Sequence, residues 1–139
     1  MNLYRRAKTL RSRLGMKGEA AAARLFENDG CTILCRNWRC RAGELDFVAL
    51  DGEILRFVEV KSLRRKAGFV PAMNLSFRQR RRNFAAAKLY RRIAGARRLE
   101  ARFDLVEVTF DGDRISEVLR LRDYLPALPP AAPEDAETP

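Results

Sequence analysis

The chain has 139 residues, 28 of them Lys or Arg against 18 Asp or Glu, no histidine, and a net charge of +10. That length suits one domain whose core needs neither disulfides nor structural metal, and no apolar run approaches the ~20 residues a membrane span requires. Three cysteines without a histidine argue against a four-ligand zinc site, so Cys31, Cys35 and Cys40 read as free thiols of a reducing compartment. The basic N-terminus has no continuous apolar core or small-residue cleavage site, and the expectation is a cytoplasmic protein with no membrane partner. Excess positive charge favours polyanions through counterion release, nucleic acid first, although general solubility accounts for part of it.

Met1 to Leu14 places Leu3, Ala7, Leu10 and Leu14 at three- and four-residue spacing among Arg5, Arg6, Lys8, Arg11 and Arg13, a basic amphipathic helix over 1–14. Gly15 predicts a break, and Met16 to Asn28 a second helix closed by Asp29-Gly30, opening a domain over 15–125. Glu19 lies in the first turn of that helix, where it suits the helix dipole. Ala20 to Ala23 supply small side chains for close packing on a sheet. Cys31 to Cys35 predict a short strand. Beyond it Trp38 reads as packing rather than base stacking, and Arg36, Arg39 and Arg41 as phosphate contacts.

The next stretch organises the chain. Leu45 to Leu50 and Ile54 to Val60 are runs of β-branched, aromatic and aliphatic residues around Asp51-Gly52, the signature of a tight hairpin. Taking those two residues as the loop pairs Leu50 with Glu53, Asp46 with Phe57 and Glu44 with Glu59. Alternation then projects Glu44, Asp46, Glu59 and Lys61 from one face, with Leu45, Phe47, Ala49, Val58 and Val60 on the other. Carboxylates this close destabilise a ladder unless something compensates. Hard oxygen ligands on neighbouring strands suit Mg²⁺ or Mn²⁺, with Asp46 and Glu59 within reach of a shared centre and the Lys61 ammonium alongside. Solvated strand-end acids are the plainer account of any one of these residues.

After Lys61 the chain turns polar through Ser62, Arg64, Arg65, Lys66, Gly68 and Pro71, a loop placed to engage substrate. Ser76 predicts the N-cap of a helix from Phe77 to about Ala94, with an apolar stripe of Ala85, Ala86, Leu89 and Ile93. Its other side carries Arg78, Arg80, Arg81, Arg82 and Lys88, whose mutual repulsion suggests an anionic partner. Leu99 to Phe110 predicts a strand, Asp111-Gly112 a turn into Arg114 to Val118, and Leu121 to Leu125 a short closing helix. The proline- and alanine-rich residues 126–139 read as a disordered or extended tail. The order gives an α/β domain with a mixed central sheet flanked by helices.

Asp46 on one strand followed by Glu59-Val60-Lys61 on the next resembles the PD-(D/E)xK nuclease superfamily. Gly43-Glu44-Leu45-Asp46 with Phe57-Val58-Glu59-Val60-Lys61 resembles the YraN-like family (UPF0102), akin to Holliday junction resolvases. The resemblance runs from about Gly15 to Tyr124 and implies a restriction-endonuclease-like core cleaving phosphodiester bonds of DNA, branched or otherwise structured, with Mg²⁺ or Mn²⁺. It implies that Glu19, in Gly18-Glu19-Ala20-Ala21, points toward the metal with Asp46, Glu59 and the Val60 carbonyl, and that Lys61 orients water or stabilises the pentavalent state. For Lys61 to act as general base, its pKa would have to fall well below about 10.4. Glu44 is expected behind the ligands, and Gln79 is carried as a minor candidate for positioning water or phosphate. Nucleic-acid contacts are expected from Arg36, Arg39, Arg41, Arg64, Arg65, Lys66, Arg78, Arg81 and Arg82. Two departures are plain: the superfamily's proline is absent before Asp46, and Arg78 stands where a lysine is expected. A homodimer that cuts two strands stays open, as does a nucleic-acid-binding module that keeps the fold without cleaving.

Overall fold

A computed structural model describes the backbone of residues 3–65 and 76–132 and the side chains of residues 13–65 and 76–132. The order is α1 (Leu3–Asn28), β1 (Thr32–Arg39), β2 (Glu44–Asp51), β3 (Ile54–Arg64), α2 (Phe77–Ile93), β4 (Glu100–Asp111) and β5 (Arg114–Leu121). The strands form one mixed sheet in chain order. All neighbours are antiparallel except β3 and β4, which run parallel from Ile54↔Glu100 to Arg64↔Phe110 across the crossover that contains α2. No helix among the described residues is long and apolar enough to cross a membrane.

Because strand side chains alternate, β2 and β3 are apolar on both faces and each face takes a helix. Phe26 and Ala22 of α1 pack on Phe47, Ala49, Val58 and Val106, with Phe26 edge-on to Phe47 at 5.1 Å. On the opposite face Ala86 and Ala87 of α2 pack on Val48, Leu55, Phe57 and Phe103. Alanines at the contact allow the helix to sit close. The buried face of α2 is therefore Asn83, Ala86 and Ala87. Ala85 is exposed and Ile93 is 67 % exposed, so the expected stripe is rotated by one position. Trp38 and Phe57 both meet Tyr90 edge-on, at 5.4 and 5.7 Å, which places Trp38 in packing as expected.

Four expectations are corrected. Gly15 does not break the first helix: α1 is continuous, since one helical glycine costs only ~1 kcal/mol and Leu14 beside it is buried in the core. The hairpin loop is Gly52-Glu53 rather than Asp51-Gly52, with Asp51↔Ile54 as the last pair. Gly52 (φ +60°) alone of these two has a positive φ, the pattern of a II′ turn. The register thus moves by two residues, which leaves every side chain on its expected face. Leu121 ends β5, and residues 122–125 are turn and irregular structure instead of a helix. The start of the tail is pinned: Leu128 is buried and exchanges 2.8 Å backbone hydrogen bonds with Ala101. Residues 133–139 and most of the loop expected after Lys61 lie outside the described residues, while β3 continues to Arg64.

Arg56, the polar exception on the α1 face, is explained by partners distant in sequence. Its guanidinium donates to Asp51 Oδ2 at 2.8 Å and to Asp104 Oδ1 at 3.3 Å, and Arg120 donates to Asp104 Oδ2 at 2.8 Å. Asp104 is fully buried, so both arginines neutralise one charge in the core.

Candidate active site

The β2–β3 ladder ends at Phe47↔Val58. Beyond it the Val60 N–H donates to Asp46 Oδ2 at 2.7 Å, so a side chain replaces a ladder carbonyl and is fixed between the strands. The N–H and C=O of one strand residue face the same neighbour, which turns the Val60 carbonyl toward Asp46 as well. Glu59 and Glu19 each lie beside Asp46, close enough for its charge to act on both. Glu19 reaches the sheet because Gly18 lies against β3, where a Cβ would overlap the Ser62 hydroxyl.

Gln79 completes the group from α2. Its Nε2 donates to Glu59 Oε1 at 2.7 Å and its Oε1 accepts from Lys61 Nζ at 3.1 Å. Lys offers only donors and an ionised carboxylate only acceptors, so this amide orientation suits both neighbours. Ser76 caps α2 as expected, accepting from the Gln79 N–H at 3.1 Å, so the first helical turn is anchored where it presents Gln79. Asn83, one turn on, is buried and donates to the Tyr124 hydroxyl at 3.0 Å. Glu44, Asp46, Glu59, Gln79, Asn83 and Arg82 line a cleft of about 500 Å³ together with Ser76 and Arg78. Gly43 sets the width of its wall, since a Cβ there would meet the Arg82 carbonyl at 3.1 Å.

The electrostatics follow from acids crowded out of water. Burial, then the Asp46 charge, pushes Glu59 up to about 8. Burial, then Asp46 and Glu44, pushes Glu19 up to about 6. Asp46 is raised by burial too, while the Val60 N–H and Lys61 act to lower it. Among the described residues no three acids form a ready group for a metal ion. The donors to these acids among the described residues are the Val60 N–H on Asp46 and the Gln79 amide on Glu59.

Of the expected arginines, Arg36 lies beside Glu19 and Asp46 and within 3.9 Å of Glu27, and Arg39 lies 3.8 Å from Glu44 at the rim. Arg41, Arg64 and Arg65 are exposed. Arg78 and Arg82 line the cleft, whereas Arg81 turns to the Phe77 ring on the other side of α2. Lys66 lies outside the described residues. The sequence understated Gln79 and missed Asn83, which sits four positions after Gln79 on the same helical stripe. It also missed Glu107, the ladder partner of Lys61, which is buried with Oε2 unpartnered among the described residues. Burial, then Glu117, raises its pKa.

A family model described as "Uncharacterised protein family UPF0102" matches residues 18–108, the span holding every residue of the site except Tyr124. Curated relatives agree. A UPF0102 protein of Pelotomaculum thermopropionicum is 40% identical over 114 residues, covering 82% of this chain and 93% of its own. One of Geobacter sulfurreducens is 43% identical over 76% of this chain and 84% of its own. A third, of Nocardia farcinica, is 44% identical over 68% and 75%.

Proposed function

The chain belongs to the UPF0102 family, and we propose that it is a metal-dependent nuclease of the PD-(D/E)xK kind, with a restriction-endonuclease-like core, that cleaves phosphodiester bonds of DNA, branched or otherwise structured. The observation that carries this reading is the meeting of Asp46, Glu59 and Lys61, with Gln79 joining the last two. An all-oxygen donor set of Asp46, Glu59, Glu19 and the Val60 carbonyl fits Mg²⁺ or Mn²⁺, and the crowding of these acids marks where positive charge is lacking. When bound, the ion acidifies water and neutralises charge on the scissile phosphate. Lys61 orients the attacking water and stabilises charge building on the phosphoryl oxygens, and Gln79 keeps the ammonium and Glu59 in register. Arg78 and Arg82 of the cleft wall, with Arg36, Arg39 and Arg41 on and just after β1, hold flanking phosphates.

The test is cleavage of labelled linear, flapped and four-way DNA with Mn²⁺ by the parent and by Asp46→Asn and Lys61→Ala. Cutting lost in both variants with DNA binding kept supports the reading, and cutting unchanged in both removes it. The pairwise meeting of the acids favours a second reading, a nucleic-acid-binding module without cleavage. It predicts DNA affinity with no Mn²⁺ uptake.

A further inference from the structure

Beside the cleft, α2 carries a second stripe that the chemistry above leaves unused. Phe77, the first residue of the helix, is 76 % exposed although it sits two residues from Gln79. With Arg80, Arg81, Phe84, Lys88 and Leu125 it lines a groove of about 450 Å³ whose described walls hold no acid. The Arg81 guanidinium lies 5.8 Å from the Phe77 ring centre and Lys88 Nζ 5.0 Å from that of Phe84. Phe84 is in turn stacked on the core ring of Phe103, 5.4 Å away and tilted by 23°.

Aromatic faces bordered by cations are what a nucleobase with its phosphate requires: the ring offers a stacking platform, and the cations track the backbone. Positions 77, 81, 84, 85 and 88 follow helical spacing, and positions 78, 79, 82 and 83 form the neighbouring stripe that faces the carboxylates. A strand whose phosphate enters the cleft is thereby led onto Phe77. A base paired inside a duplex has both faces covered and cannot stack there.

We propose that this groove receives an unpaired base, so that the nucleic acid bound here is single-stranded beside the phosphate in the cleft, as at a flap, a gap or an open junction. The inference rests on the nuclease reading for the position of that phosphate. An acidic amphipathic peptide is the rival occupant.

The test measures binding of the full-length protein, without divalent cation, to a single-stranded oligonucleotide carrying 2-aminopurine, to a gapped duplex and to a blunt duplex. Phe77→Ala is expected to weaken the first two about 5- to 100-fold while sparing the blunt duplex, and Phe77→Trp to restore binding with quenching of the 2-aminopurine. Equal affinity of parent and Phe77→Ala for the unpaired substrates would overturn the groove even if the protein cleaves DNA. So would Phe77-dependent binding of a Glu/Leu-rich helical peptide in place of the oligonucleotide. Because no cation is present, a failure of cleavage leaves this measurement intact, and the two readings fail separately.

Discussion

Gln79 donates through Nε2 to Glu59 Oε1 at 2.7 Å, a bond that joins the first turn of α2 to the central strand beneath it. The same amide holds Lys61 through its oxygen at 3.1 Å, so one side chain sets the spacing between an acid and an amine. Gln79→Ala is expected to lower cleavage about 10- to 100-fold, the range for partners that orient ligands. Single-turnover rates check this, with circular dichroism unchanged because Gln79 is only half buried.

Protonation of the acids gives a pH dependence with a definite sign. Glu59 and Glu19 hold protons more tightly in the folded chain than at their ordinary value of 4.5. The folded state therefore binds more protons than the unfolded one between pH 4.5 and about 8, and their contribution to stability falls as pH rises through that window. Without divalent cation, Glu59→Gln is expected to be more stable than the parent at pH 8 and nearly equal at pH 5. Added Mg²⁺ should raise the melting temperature of the parent more at pH 8 than at pH 6. Thermal melts of both proteins at the three pH values check each expectation.

Gly43 keeps α2 close to the start of β2. Gly43→Ala pushes a Cβ against the Arg82 backbone and is expected to cost about 1–3 kcal/mol, as overpacking does. Because the displaced helix carries Gln79, cleavage should fall together with stability. Denaturant unfolding and activity measured on the same preparation check this.

Asp104 is the acid between Arg56 and Arg120. Asp104→Ala removes the buried acid the two guanidiniums share and leaves Arg56 with Asp51 and Arg120 with Asp29, so a loss of about 1.5–3 kcal/mol is expected. Asp104 lies on the α1 face, opposite the cleft, so any folded fraction should still bind divalent cation, which calorimetry at low temperature would show.

Arg78 and Arg82 border the cleft on one helix. Replacing either by alanine should weaken DNA binding similarly for all sequences and lower the slope of log K against log salt by about 1. Fluorescence anisotropy over a salt series checks this.

The hairpin, its two faces and the acids it carries were legible because a period of two survives a register error of two: Asp46 and Glu59 share a face in either pairing. The turn itself was misjudged, since both Asp51-Gly52 and Gly52-Glu53 satisfy the need for one glycine. Continuity of α1 through Gly15 was not legible, because local propensity marks a weak point and only the packing of Leu14 decides whether it breaks. Long-range partners escaped for the same reason. Nothing near Arg56 in sequence announces Asp104, 48 positions on, and nothing near Leu128 announces Ala101. Gln79 was legible only as a minor candidate for positioning water or phosphate, because its importance comes from a crossover that lays that helix over β3.

Central to the account is one cation shared by Asp46 and Glu59, and calorimetric titration with Mn²⁺ measures it most directly. The parent should take up one ion per chain in the cleft, with that heat lost or much reduced in both Asp46→Asn and Glu59→Gln. A titration in which the parent shows no uptake, or in which the two variants bind as the parent does, would contradict it.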